Sequence, residues 1–85
     1  MSLDELKIAK RRTVGTKQTK KALQNSQLKA VYVAMDAEHK VTKPLVEIIN
    51  KKGLPICWVE TKYKLGKACG IEVGTAIAGV LKEEE

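Results

Sequence analysis

With 85 residues, 44% of them apolar and 31% charged, the chain is too rich in apolar side chains to be disordered and too short for two cores, so one domain over residues 1–85 is expected. The formal net charge of +6 at pH 7 is unevenly spread: the first 29 residues hold eight Lys/Arg against Asp4 and Glu5, whereas Lys82-Glu83-Glu84-Glu85 is acidic. Charge gathered in this way is the footprint of a polyanion binder. A membrane surface is the competing polyanion, but no basic helix pairs its charge with an unbroken apolar face and aromatics, which favours nucleic acid.

Ser2-Leu3-Asp4-Glu5 has the form of a capping box, and Leu3, Leu6 and Ala9, with Ile8 alongside, continue at helical spacing to about Arg11. Thr13-Val14 is a short extended piece. Gly15-Thr16 reads as the turn and N-cap of a second helix, which carries Ala22 and Leu23 and stops at Asn25-Ser26 after about Gln24. The apolar run Ala30-Val31-Tyr32-Val33-Ala34 has the pattern of a strand covered on both faces, and Asp36-Ala37-Glu38-His39 is the loop behind it. Thr42 is expected to cap a third helix with Pro44 in its first turn, with Leu45, Val46, Ile48 and Ile49 inward and Gly53 at its end. Pro55-Ile56-Cys57-Trp58-Val59 reads as another buried strand. Thr61 opens a fourth helix through Tyr63, Leu65 and Ala68 to Gly70, and after the loop Ile71-Glu72-Val73 the last strand runs from Thr75 to Leu81. Helices alternating with apolar strands indicate an α/β fold, a sheet sandwiched between helical layers.

Little in the chain suggests catalysis. His39 is the only histidine and stands between Glu38 and Lys40, a surface-loop setting. Cys57 and Cys69 lack CxxC or Cys/His metal spacing and read as packing residues of a reducing compartment. No nucleophile elbow, Walker loop or paired-carboxylate motif is present, so no catalytic residue, metal site or cofactor is expected. Gly66, Gly70 and Gly74 fall four apart, but Lys67 and Glu72 break any membrane face, and helix–sheet packing and a helix end are the expected uses. No run approaches 18 apolar residues and no signal-peptide stretch opens the sequence, so a cytoplasmic protein is expected.

The stretch Gly15 to Lys21 carries the functional signal. The first turn of a helix exposes unpaired N–H groups and favours Asp and Glu, yet Lys17, Lys20 and Lys21 crowd this end with no acidic residue among them. Each such placement costs roughly 0.3–1 kcal/mol. An anion joining the helix start from outside would compensate, and phosphate is the leading candidate. The three aromatic residues are Tyr32, Trp58 and Tyr63, and the first two fall in strands read as buried. Base stacking on a sheet is therefore not expected, and binding should rest on phosphate contacts and polar reach into a groove. Ile71-Glu72-Val73, bounded by Gly70 and Gly74, is either a pair of core plugs or an exposed apolar contact.

Two segments resemble the paired signatures of the ribosomal L-seven-Ae family: Gly15-Thr16-Lys17-Gln18-Thr19-Lys20-Lys21-Ala22-Leu23 and Leu65-Gly66-Lys67-Ala68-Cys69-Gly70-Ile71-Glu72-Val73. Ala34-Met35-Asp36-Ala37 is similar to its strand-end motif, and the resemblance spans nearly the whole chain, nearest to the short bacterial members. It implies a three-layer α/β/α sandwich with a mixed four-stranded sheet. It also implies binding to kink-turn RNA, a bent duplex whose three-nucleotide bulge is followed by tandem sheared G·A pairs. By the same resemblance, Lys17, Gln18 and Lys21 reach guanine edges, with Gly15, Thr16 and Lys20 in the same motif. Ile71, Glu72 and Val73 cover the bulge, which favours the exposed-contact reading of that loop. Kink-turn binders of the family usually carry Asn-Glu where this chain has Lys17-Gln18, a pair its short bacterial members tend to share. A Glu there accepts from guanine as a charged group, whereas Gln18 would accept through a neutral carbonyl and Lys17 would add a charge-assisted bond. The resemblance thus implies a non-enzymatic, monomeric RNA binder acting on ribosomal RNA or a structured mRNA. The alternative is a protein–protein adaptor of the same fold, against which the basic first third of the chain counts.

Overall fold

The computed structural model describes residues 3–83, so Ser2 of the expected capping box lies outside the described residues. Along them run α1 (Leu3–Ile8), β1 (Arg12–Val14), α2 (Thr16–Gln24), β2 (Leu28–Ala34), α3 (His39–Lys51), β3 (Ile56–Val59), α4 (Lys62–Ala68) and β4 (Ile77–Leu81). The strands form one sheet in the order β1-β4-β2-β3. β4 runs antiparallel to both its neighbours while β2 and β3 are parallel, so the sheet is mixed and α3 serves as the crossover that parallel strands require.

Alternation along the central strand builds the two layers. Ala30, Tyr32 and Ala34 of β2 enter a core with Leu6 of α1 and Leu65 and Ala68 of α4. Val31 and Val33 enter a second core with Ala22 and Leu23 of α2 and Leu45 and Ile49 of α3. Helices cover both faces, and the α/β/α sandwich follows. Leu28 also belongs to the second core, out of phase with a strict two-residue repeat. The register explains it: Leu28 pairs with Leu81 and Ala30 with Val80, so exposed Lys29 is an extra residue and the bulge turns Leu28 to the other face.

Several elements depart from the sequence reading. α1 stops at Ile8, because Arg12 begins β1 rather than following a helix that reaches Arg11. At α2 the N-cap is Gly15, at φ 90° and ψ 164°, and Thr16 is the first helical residue, not the cap. α3 starts at His39, a turn before Thr42, with extended Glu38 as N-cap. Thr42 is therefore buried inside the helix, its hydroxyl donating back to the Glu38 carbonyl at 3.4 Å. Pro44 likewise lies inside α3, where it cannot supply the usual helical N–H to the Lys40 carbonyl. β4 begins at Ile77, with Thr75 buried just ahead of it. Trp58 is 54% exposed, contrary to a buried strand, because β3 is an edge that pairs only with β2.

Both cysteines are free thiols, Cys69 buried and Cys57 half-buried. Burial pushes the Cys69 thiol up, an effect the Arg12 charge partly opposes.

Candidate nucleic-acid interface

β1, β2 and β3 all end, and β4 begins, at the same edge of the sandwich, as their pairing directions require. The turn Val14-Gly15, the loop after Ala34 and the segment before Ile77 are thereby gathered at one end. Local hydrogen bonds lock them. The Ala34 N–H donates to the Ala76 carbonyl at 2.9 Å, and the Met35 N–H to that of Val59 at 2.7 Å. Asp36 accepts the Lys62 N–H at 2.8 Å, tying the strand-end motif to the start of α4. The Ile77 carbonyl accepts from the Gly15 N–H at 2.9 Å and from the Thr75 hydroxyl at 3.0 Å. Gly15 of the first signature segment and Thr75, two residues past the second, therefore meet on one oxygen.

α2 is anchored through its inner face. Thr19, Ala22 and Leu23 are buried at helical spacing, and the Thr19 hydroxyl meets that of Thr13 on β1 at 2.9 Å in the interior. Lys17, Gln18, Lys20 and Lys21 are left on the exposed side, with Gly15 and Thr16 half-exposed beside them. No side chain caps the helix and no acidic residue occupies its first turn. The charge placement is narrower than the sequence suggested. Only Lys17 lies in the first turn; Lys20 is a turn further on, and Lys21 falls in the last turn, where the helix dipole favours a cation. The same lack of acidic residues holds for the first turns of α3 and α4, while α1, which starts elsewhere, has Asp4 and Glu5. At α4 the Thr61 hydroxyl accepts the Lys64 N–H at 3.0 Å, and the Lys64 ammonium pairs with Glu60 at 2.8 Å, which lowers the Glu60 carboxyl.

Two of the eight basic residues in the first third serve the fold. The Arg12 guanidinium donates to the carbonyls of Leu6 at 3.2 Å, Lys7 at 3.4 Å and Cys69 at 3.0 Å, closing the C-terminal ends of α1 and α4 together. Arg11 donates to the Lys82 carbonyl at 3.4 Å. Counting charges cannot separate such residues from ligand-facing ones.

The loop after α4 divides. Ile71 is partly buried against the α1/α4 core, while Glu72 and Val73 are exposed, Val73 at 69%. The expected wholly exposed contact is therefore corrected: Ile71 anchors the loop and Val73 presents its apolar surface. Ile71 is held because its N–H closes α4 on the Gly66 carbonyl at 3.1 Å. Gly66 itself must be glycine, since a Cβ there would overlap the Val73 carbonyl, and a Cβ on Gly74 would press on Lys62. These glycines let the loop lie against α4, so the close approach is helix to loop where helix to sheet was expected.

Chemically, this end offers cations, amide groups and the projecting apolar side chains of Val73 and Met35. Among the described residues no group of His, Cys, Asp and Glu could hold a metal ion, and His39 is exposed at the start of α3. No helix among them is long and apolar enough to cross a membrane. Met35, which the sequence reading placed in the strand-end motif without giving it a part in the site, is 67% exposed at this same end.

Taken together, these features define an α/β/α sandwich with a basic helix start and an apolar loop brought together at one sheet end. Residues 2–85 match the Ribosomal protein L7Ae/L30e/S12e/Gadd45 family, and the chain belongs to it. It is 42% identical over 81 residues to an RNA-binding protein of Bacillus pumilus, covering 95% of this chain and 99% of the relative. It is 46% identical over 68 residues to RNA-binding protein TTE2299 of Caldanaerobacter subterraneus subsp. tengcongensis, covering 80% and 83% respectively. Among solved structures, the Giardia lamblia 15.5kD RNA binding protein superposes with a TM-score of 0.84 at 25% identity, over 96% of this chain and 72% of that one.

Proposed function

We propose that this chain is a non-enzymatic, monomeric RNA-binding domain that recognises and stabilises kink-turn RNA in the cytoplasm, on ribosomal RNA or a structured mRNA. The observation that supports this best is the Ile77 carbonyl, which accepts from Gly15 at the start of α2 and from Thr75, two residues after the loop Ile71-Glu72-Val73. Relatives named RNA-binding proteins, matched over 95% and 80% of this chain, support the ligand class. A kinked duplex brings the phosphates of its two arms together, and that repulsion opposes bending. Lys17, Lys20 and Lys21 lie three and four residues apart on the exposed side of α2, so they present one cationic strip to those phosphates and to the guanine edges. Preferential binding to the bent form draws the RNA into it. Val73 supplies apolar cover for the bulge, and Glu72 can accept from a nucleobase amine or a 2′-hydroxyl.

Titration of a kink-turn duplex, and of a copy with its G·A pairs changed to Watson–Crick pairs, at one fixed salt concentration tests this. The kink-turn should bind at least about tenfold tighter, a difference of ~1.4 kcal/mol. Equal affinities would reduce the protein to a general basic binder. Lys21→Ala should narrow the difference and cost roughly 1–3 kcal/mol of binding, while Lys51→Ala, at the far end of α3, should leave it intact.

A further inference from the structure

We infer that Gln18 meets its RNA as a hydrogen-bond donor, so that the chain requires an acceptor where a glutamate at that position would require a donor. The inference rests on the kink-turn reading above and adds the polarity of one contact to it. β1 is an edge strand, and the N–H groups of successive strand residues point to opposite sides. The Gly15 N–H donates inward to the Ile77 carbonyl, which leaves the Val14 N–H pointing off the sheet. Gln18, the third residue of α2, reaches back and accepts that N–H on Oε1 at 2.9 Å. This closure of the helix start resembles one half of a capping box, the half in which the third helical residue reaches back to a backbone N–H.

The bond decides which way the amide faces. Flipping it would set the Nε2 donors against the Val14 donor, so the oxygen stays with the strand and the NH2 group is the end that projects from an exposed side chain. The carbonyl that the sequence reading offered to guanine is therefore already engaged. A carboxylate at the same place would give one oxygen to Val14 and project the other as a charged acceptor. Gln18→Glu thus inverts the outward group from donor to acceptor with almost no change of shape. A donor suits guanine O6 or N7, or a phosphate oxygen; an acceptor suits the guanine N1–H.

The test replaces the contacted guanine of the kink-turn duplex with 2-aminopurine. That base keeps the amino group and N3 used in a sheared pair, loses O6, and turns N1 from donor into acceptor. The wild-type NH2 still finds an acceptor, so its affinity should change by no more than about threefold. For Gln18→Glu, the carboxylate faces a lone pair, and its affinity should fall at least about tenfold on the same substitution. Equal losses in the two proteins, or a larger loss in the wild type, overturn the assignment while the kink-turn preference stands. If neither protein prefers the kink-turn to the Watson–Crick duplex, the function proposed above fails and this inference with it. Amide exchange in the free protein gives a readout without RNA. The Val14 N–H should exchange slowly in the wild type and in Gln18→Glu and at least about tenfold faster in Gln18→Ala; one rate in all three overturns the anchoring.

Discussion

Gly15 and Thr75 donate to the same oxygen, the Ile77 carbonyl, one through its backbone N–H at 2.9 Å and the other through its hydroxyl at 3.0 Å. That carbonyl opens β4, so the strand's first residue ties the start of α2 to the segment that follows the apolar loop. A carbonyl has two lone pairs, and both are in use. The Thr75 bond is local, reaching two residues along the chain, whereas the Gly15 bond exists because β4 lies beside β1.

The first prediction follows from that bond. Thr75 is buried, so Thr75→Val preserves shape and removes one donor. Stability should fall by about 1 kcal/mol, the usual net worth of such a bond. RNA affinity should fall further than stability accounts for, since the segment that follows the loop loses its tie to the start of β4 while the loop and α2 keep their own side chains. A thermal melt with a parallel titration checks this; a melt shift with unchanged affinity would show that the loop holds its place without Thr75.

Lys17 provides the second. It alone occupies the first turn of α2, and Lys20 and Lys21 follow three and four residues on. Lys17→Glu puts an acid beside the uncapped N–H groups and pairs it with Lys21, which should stabilise the free protein by roughly 0.3–1 kcal/mol. The same change should weaken RNA binding and make its salt dependence shallower, as when a cation contact is lost. Lys20→Glu, a turn away from the helix end, should stabilise less while also flattening the salt dependence. Stability and binding moving together in Lys17→Glu would mean that this lysine serves the fold.

Ile71 and Val73 give the third, as a contrast between two apolar residues of one loop. Val73→Ser should weaken RNA binding and leave the melt nearly unchanged, because the side chain is 69% exposed. Ile71→Ser should lower stability by about 1–2 kcal/mol, less than the 2–5 typical of full burial, because its side chain is only partly buried against the core. Reversal of these two melts would place the wrong residue in the core.

The fourth concerns alkaline pH. Tyr32 is fully buried on β2, and burial first, then the charges of Glu5 and Cys57, push its phenol from 10 up to about 12. The fold thus holds the neutral phenol. The associated stability is complete below pH 10 and is lost as pH rises through about 12, an amount on the order of 3 kcal/mol. Tyr32→Phe removes the titrating group, so its alkaline unfolding midpoint should lie above that of the wild type. An unchanged midpoint would locate the alkaline limit elsewhere.

Much of the fold was legible because periodicity is local. Ala30 to Ala34 had to be covered on both faces, and Asn25-Ser26 and Gly70 marked true helix ends. Thr61 was a true cap, accepting the Lys64 N–H. The start of α3 was misplaced because Thr42 is the stronger cap by residue type, while Glu38 caps by backbone conformation alone. Of the candidate site, Gly15 to Lys21 stood out because lysines without acidic partners break a local rule. Arg12 could not be removed from that charge cluster by inspection, since the carbonyls it serves belong to residues as distant as Cys69.

By itself the sequence determined the alternation of helices and strands and the basic start of α2, both consequences of hydrophobic period and charge. The tertiary structure alone decided which strand became an edge and so left Trp58 half-exposed, and which of Ile71 and Val73 faced the core. It also decided that the Gln18 oxygen turned to Val14. Strand order and hydrogen-bond direction depend on partners remote in the chain, and no residue carries that information in its own side chain.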